Sequence, residues 1–472
     1  MTEPRNTGGS PVLAILIIAI ALLTMILAGC TVGPDFKRPE AELPKDYGVA
    51  QSPLPPGERW WTLFNDPVLD RLVDEALEAN HDLKAAAARV EQARAQVAIA
   101  RADQLPSVGV NASHARTRAS ELGSFPLPPD LILTNDNRMV LQLSWEIDFW
   151  GQYRRASEAA RADLLASEAG RDAVRTSLVS ELVRGYFALQ ALDRSTDVVE
   201  RTLLGRQKSL ELQKMRFDAG VVSEVELRQV ESDLRTTQAL VPVIRQSRVS
   251  QENALAVLFG RSPREVYEGR VDRGMPVTPD AIEVPAGVPS DLLLRRPDLR
   301  QAEAQLHAAN ARIGVARAAY FPSVSLTGYY GGESQALHDL FSGPARTWSV
   351  AGGLLQPLFA AGQIQGGVDL ADARTREAAE LYQRAVANAF REVRDAIAAQ
   401  GNLREAALAQ LERERSLART FELEKLRYDN GTVSLFEVLE TERQLLAARL
   451  VAIDAERDRR NAIVELYLAL GA

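Results

Sequence analysis

Cysteine is all but missing from this 472-residue chain, which has Cys30 and no other. A single thiol excludes an intrachain disulfide, a CxxC-type zinc site and thiolate ligation of an iron–sulfur cluster. Histidine is nearly as scarce: His81, His114, His307 and His338 stand far apart. HExxH, GxxxxGK[ST], GxSxG and GxGxxG are all absent. The usual supplies for metal, phosphate and nucleophilic chemistry are therefore lacking, and no enzyme, cofactor or metal site is expected. An excess of positive charge is also lacking: 55 Lys and Arg face 63 Asp and Glu, a net charge of −8. No nucleic-acid partner is expected, because phosphate binding needs a basic face. Apolar and charged fractions of 46% and 25% are those of a folded chain, which excludes general disorder.

The long apolar run sits at the start. Val12–Leu23 is unbroken Val, Leu, Ala and Ile, and the stretch ends Leu27-Ala28-Gly29-Cys30. A short apolar core followed by small residues reads as an export signal over 1–29. The last four residues resemble the bacterial lipobox, whose cysteine receives diacylglycerol on sulfur and an acyl chain on its new amino terminus. Cys30 is thus the candidate lipidation site (N-palmitoyl, S-diacylglycerol cysteine). A plain membrane anchor is the alternative, since the run approaches the ~17–25 residues that span a bilayer. Thr31 follows the cysteine; an Asp there tends to mean inner-membrane retention, so Thr31 is compatible with the outer membrane.

The rest of the chain repeats itself. Asp82-Leu83 through Leu105-Pro106-Ser107-Val108 matches Asp298-Leu299 through Phe321-Pro322-Ser323-Val324 at an offset of 216. Arg216-Phe217-Asp218-Ala219-Gly220-Val221-Val222-Ser223 matches Arg427-Tyr428-Asp429-Asn430-Gly431-Thr432-Val433-Ser434 at an offset of 211, which also joins Gly151 to Gly362 and Gly260 to Gly471. Each copy has the same order. An Ala/Arg/Gln/Glu-rich stretch (66–105, then 290–319) reads as helix up to a proline. Alternating segments follow near 107–120 and 136–150, then near 322–333 and 346–358. Met139, Leu141, Leu143, Trp145, Ile147 and Phe149 share one strand face, and Gln142, Ser144, Glu146 and Asp148 the other. Helical tracts over 152–218 and 363–429 resume, after a Gly-containing turn, as 223–259 and 434–470. Forty-five such residues reach ~68 Å, too long for a compact globule. Leu227, Leu234 and Val241 are seven apart, as are Val438, Leu445 and Ala452, which predicts coiled-coil packing. Pro242, whose partner is Ile453, predicts a local kink in the first copy only.

Four short strands with one apolar face leave two open edges. In lipid, unpaired backbone has no water to bond, and a closed barrel needs about eight strands or more. If these strands span a membrane, the chain must therefore oligomerise; a soluble sheet over the helices is the other reading.

Together these features resemble the TolC-like outer-membrane efflux channels, in the lipid-anchored branch (OprM and NodT type) that serves resistance-nodulation-division pumps. Four motifs carry the likeness: the Leu-Ala-Gly-Cys string; Ser144-Trp145-Glu146-Ile147-Asp148-Phe149-Trp150-Gly151; Leu292-Leu293-Leu294-Arg295-Arg296-Pro297-Asp298 with Ala302-Glu303; and Arg427-Tyr428-Asp429-Asn430-Gly431 through Ser434. The resemblance implies an α+β, mostly α, fold. It implies a homotrimer with one shared 12-stranded barrel, a long helical barrel in the periplasm, and an equatorial belt built from Thr31–Trp61, Gly260–Pro289 and the C-terminus. The domains become a signal peptide (1–29), a lipid-anchored segment (30–65), the first efflux repeat (66–260), an equatorial linker (261–289) and the second repeat (290–472). The implied function is a passive conduit for drugs and small toxic compounds, taking them from an inner-membrane resistance-nodulation-division pump and a periplasmic adaptor (membrane fusion) protein. The turns with Asp218, Gly220 and Ser223, and with Asp429, Gly431 and Ser434, are the implied adaptor-contacting tips. Ser223 and Ser434 also suit plain helix N-caps. Phe436, Glu440 and Arg443 are the implied periplasmic gate, with Glu440 where the family usually has Asp; a solvated helix face is the bland reading. A periplasmic coiled-coil scaffold and a type I secretion conduit remain as alternative functions.

Overall fold

The computed structural model describes residues 31–40, 42–44, 51–52, 59–122, 128–279, 284–285 and 289–472. Cys30 and the signal segment lie outside the described residues. The elements run α1 (Pro67–Ala79), α2 (His81–Ala102), β1 (Ser107–Arg118), β2 (Leu133–Ile147), α3 (Gln152–Asp218), α4 (Glu224–Leu258), α5 (Pro263–Glu268), α6 (Pro289–Arg295), α7 (Pro297–Ala318), β3 (Ser323–Ser334), β4 (Arg346–Leu355), α8 (Gln363–Asp429) and α9 (Leu435–Ala469). Apart from α5, the repeat holds element for element. α3 and α8 are both 67 residues and α4 and α9 both 35, at the 211 offset. α2 and α7 are both 22 residues and β1 and β3 both 12, at the 216 offset.

Two expectations need adjustment. The stretches 66–105 and 290–319 are each two helices, divided at Asn80 and Arg296. Asn80 ends α1 and caps α2: its Oδ1 accepts from the Leu83 N–H at 2.9 Å, and its Nδ2 donates to the Leu258 carbonyl at 2.9 Å. Pro297 removes the N–H that would continue the second stretch. β2 begins three residues earlier than expected and ends at Ile147, so Phe149 falls outside it. α4 runs through Pro242 as one helix.

The chain divides into two units. The first comprises Met1–Glu40, Val90–Ser167 and Ala302–Tyr382, of which the described part contains the sheet. Its strands follow in the order β1-β2-β3-β4, all antiparallel, with β1 and β4 at the edges. Register places Val110, Leu141, Tyr330 and Trp348 in one cross-strand row, next to a row of Val108, Leu143, Gly328 and Val350. The opposite face carries the rows Gly109, Gln142, Tyr329, Ser349 and Ser107, Ser144, Thr327, Ala351. Arg138 lies on this second face, 3.8 Å from Glu333, with its guanidinium over the Tyr329 ring. In these central rows one face is thus apolar and the other polar.

Residues 31–40 dock in the same unit. The Val32 N–H donates to the Trp150 carbonyl at 3.0 Å. Arg155, buried, donates to the Val32 and Gly33 carbonyls and pairs with Asp35 at 2.7 Å. Phe36 stacks on His307 at 4.5 Å, and Arg38 meets Glu303 at 2.7 Å. Gly314 makes room: a Cβ there would stand 2.6 Å from the Val32 carbonyl oxygen. The equivalent residue in the first copy is Ala98, which is exposed. Gly314→Val is expected to release this segment, read as faster tryptic cleavage at Lys37 with the rest of the digest unchanged.

The second unit comprises Ala41–Arg89, Glu168–Gln301 and Gln383–Ala472. Its main core gathers Trp60, Trp61 and Phe64, the apolar face of α1, Leu178–Leu189 of α3, Leu255 and Phe259, Val271, and Ile463, Val464 and Tyr467 of α9. Asp66 organises it, capping α1 through the Val68 and Leu69 N–H groups and accepting from the Tyr186 hydroxyl at 2.8 Å. Of the pieces expected to form a belt, those around Trp60 and Val271 join this core with the end of α9. Residues 31–40 do not; they belong to the first unit.

Candidate functional site

The two helix-to-helix turns are built alike. α3 ends at Asp218, and Gly220 takes a left-handed φ of 74°. Its N–H bonds the Phe217 carbonyl at 2.9 Å while the Val221 N–H reaches the Arg216 carbonyl at 2.8 Å. α8 ends at Asp429 in the same manner, with Gly431 at φ 73° and the Thr432 N–H on the Arg427 carbonyl. Both are glycine-terminated helix ends, where only a residue without Cβ avoids strain. Ser223 then caps α4 in a reciprocal box with Glu226, and at Ser434 the Glu437 carboxylate accepts from the backbone N–H at 3.3 Å. Asp218, Gly220, Ser223, Asp429, Gly431 and Ser434 are all exposed.

The two turns are held side by side. Val230 of α4 and Leu435 and Leu439 of α9 form a buried cluster, against which Leu210 of α3 and Tyr428 of α8 pack. The Tyr428 hydroxyl accepts from Gln213 at 3.0 Å and from Arg216 at 2.8 Å. The first copy has Phe217 at this position, which offers no hydroxyl. Of the six heptad residues, Leu234, Val438 and Leu445 are buried and Leu227, Val241 and Ala452 half-buried, so the seam is well covered only in part.

Phe436, Glu440 and Arg443 lie on one face of α9, and the structure brings them together. Arg443 donates to Glu440 through Nη2 at 2.6 Å and Nε at 3.2 Å, and its guanidinium lies 6.0 Å over the Phe436 ring. Gln444 donates to the other Glu440 oxygen at 2.9 Å. The longer Glu440 side chain reaches its arginine without difficulty. Hydrogen bonds from Gln444 and Arg443 hold its carboxyl below its ordinary value of 4.5.

One member is new. Asp233 on α4, buried, takes Arg443 Nη1 at 3.2 Å, so the arginine bridges two helices. Sequence reasoning passed over Asp233 because a lone Asp inside a charged helix is ordinary. Repeat asymmetry would have found it: the equivalent residue is the uncharged Gln444. Among the described residues, no cluster of His, Cys, Asp and Glu could hold a metal ion, and no helix is long and apolar enough to cross a membrane.

Comparison with known proteins supplies the context. A profile of outer membrane efflux proteins matches residues 72–261 and 288–472. The solvent efflux pump outer membrane protein SrpC of Pseudomonas putida is 34% identical over 467 residues, covering 95% of this chain and 96% of that one. The cation efflux system protein CusC of Escherichia coli O6:H1 is 33% identical, covering 95% and 97%. The crystal structure of the Campylobacter jejuni CmeC outer membrane channel superposes with a TM-score of 0.90 at 30% identity, over 94% of this chain and 95% of that one. The chain therefore belongs to the outer membrane efflux protein family, trimeric outer-membrane channels that work with an adaptor protein and an inner-membrane pump.

Proposed function

We propose that this chain is a gated, passive conduit for small organic toxicants, closed at rest through Phe436, Glu440 and Arg443 and met by its adaptor at the two tip turns. The observation that carries the conduit is the sheet: four strands, one apolar face, and outer edges of β1 and β4 that no strand among the described residues pairs with. Such a sheet satisfies its edge backbone in hydrocarbon only by closing with other copies. A periplasmic scaffold would leave this face unexplained.

Three further readings rest on residues. Cys30 would carry the lipid one residue ahead of Thr31. The exposed turns at Asp218–Ser223 and Asp429–Ser434 offer paired loop ends to the adaptor, flanked by exposed Val221 and Val225. Organic compounds are favoured over metal cations because soft ligands are thin: five Met and four His in the whole chain. Energy for transport comes from the pump, so the conduit needs no catalytic group of its own.

The test is single-channel conductance of the purified trimer in planar bilayers. Arg443→Ala and Glu440→Ala are each expected to raise it severalfold. Unchanged conductance in both removes the gate assignment. The pair persists while Glu440 is ionised, so it is lost only as pH falls through the lowered value of that carboxyl. Wild-type conductance is therefore expected to hold level at neutral pH and to rise only as pH falls through that lowered value.

A further inference from the structure

Behind the gate lies a buried cation that neither the pore face nor the tips use. Arg206 of α3 is 2% exposed. Its Nη1 donates to the Asp233 carbonyl at 2.8 Å and to Thr237 Oγ1 at 2.6 Å, both on α4. Its Nε stands 3.5 Å from Glu442 Oε2 on α9. Glu442 is the chain neighbour of Arg443, and Asp233 is the residue that takes Arg443. One guanidinium therefore touches both helices bridged by the gate arginine, at the same level.

A charge this deep is costly unless it does something a hydrocarbon could not. The repeat gives the comparison within one molecule. At the equivalent positions Arg206 is replaced by Leu417, Asp233 by Gln444 and Thr237 by Ala448. The second copy thus builds the same helix with an aliphatic residue, so the fold itself does not demand the arginine. The cluster occurs once per chain, beside the one copy of Phe436, Glu440 and Arg443.

The network is also incompletely satisfied. Arg206 Nε and Nη2 and Asp233 Oδ2 make no hydrogen bond among the described residues, although all three atoms are buried. Burial pushes the Glu442 carboxyl above its usual value, against the pull of Arg206. Buried donors and acceptors left unpaired cost free energy in this arrangement, so the cluster is not there for stability alone.

We propose that Arg206 is a positioning residue for the gate, fixing Asp233 on α4 and Glu442 on α9 in the register that lets Arg443 bridge the two helices. This rests on the gate reading given above. Arg206 does not itself reach Phe436 or Glu440; it acts through Asp233 and Glu442.

The test uses full-length trimers in planar bilayers, with trimer dissociation temperature measured alongside. Arg206→Met is expected to raise conductance by at least half as much as Arg443→Ala on a logarithmic scale. The double variant should exceed Arg443→Ala alone by little, because both changes break one linkage. Arg206→Lys should restore part of the closed conductance. Thr237→Val removes one hydrogen bond and should give a smaller rise; it decides the matter if Arg206→Met fails to assemble. A lowered dissociation temperature with wild-type conductance in Arg206→Met, or wild-type conductance in Thr237→Val where Arg206→Met does not assemble, would make Arg206 merely structural and overturn the proposal. If Arg443→Ala itself leaves conductance unchanged, the gate reading falls first, and the two failures are told apart.

Discussion

Leu141→Arg is expected to abolish the heat-modifiable trimer, while Gln142→Arg, one residue along the same strand, leaves it intact. Leu141 sits in the row with Val110, Tyr330 and Trp348, whose exposures in the single chain are 51%, 64%, 56% and 68%. Water-soluble proteins rarely leave such an apolar row bare. A cation on the lipid face costs about 2–4 kcal/mol near the bilayer midplane, and the trimer bears it three times. Gln142 points to the opposite face, in a row with Gly109, Tyr329 and Ser349, where charge can stay hydrated. Period-two alternation makes neighbouring residues the control for each other. Equal assembly of the two variants, judged by unheated and heated gel mobility of the outer-membrane fraction, would mean that the two faces meet the same solvent.

The second large effect is expected at Arg296, inside the Leu292–Asp298 motif. Nη2 lies 2.7 Å from both Asp298 and Glu392, and Nη1 donates to the Ala469 carbonyl at 3.1 Å, near the end of α9. The arginine is buried while its two acids are half-exposed. It therefore ties α7, α8 and α9 together from one point. Arg296→Ala is expected to cost about 3 kcal/mol, toward the low end for a broken buried ion pair because water can reach the acids left behind. The readout is a lower temperature for trimer dissociation. Arg296→Lys should recover only part, since an ammonium lacks the planar fork that serves three acceptors at once. An unchanged dissociation temperature in Arg296→Ala would remove this role.

Local rules made much of the architecture legible. The two offsets foretold pairs of helices of equal length, and the turn glycines marked where the long ones end, because a glycine-terminated helix end is made by its own neighbours. Alternation in Met139–Ile147 exposed the two-faced sheet for the same reason. What stayed hidden depends on partners distant in sequence. The division at Asn80 needs the Leu258 carbonyl. Asp233 and Arg206 acquire meaning only from Arg443 and Glu442, some 200 residues on. Each hidden residue breaks the repeat symmetry: Asn80 against Arg296, Asp233 against Gln444, Gly314 against Ala98. Duplicated sequence records shared folding requirements, and its mismatches record what one copy alone must do.

The docking of residues 31–40 bears on how three chains find one another. Thr31 packs on Gly151, four residues beyond the end of β2. If the proposed lipid is carried on the residue before Thr31, a single Cα–Cα step of about 4 Å lies between the tether and the residue that packs on Gly151. Each unfinished wall segment would then wait at the bilayer surface with its edges already at the right height. Encounter becomes a search in two dimensions rather than three, at an effective concentration set by crowding in the leaflet.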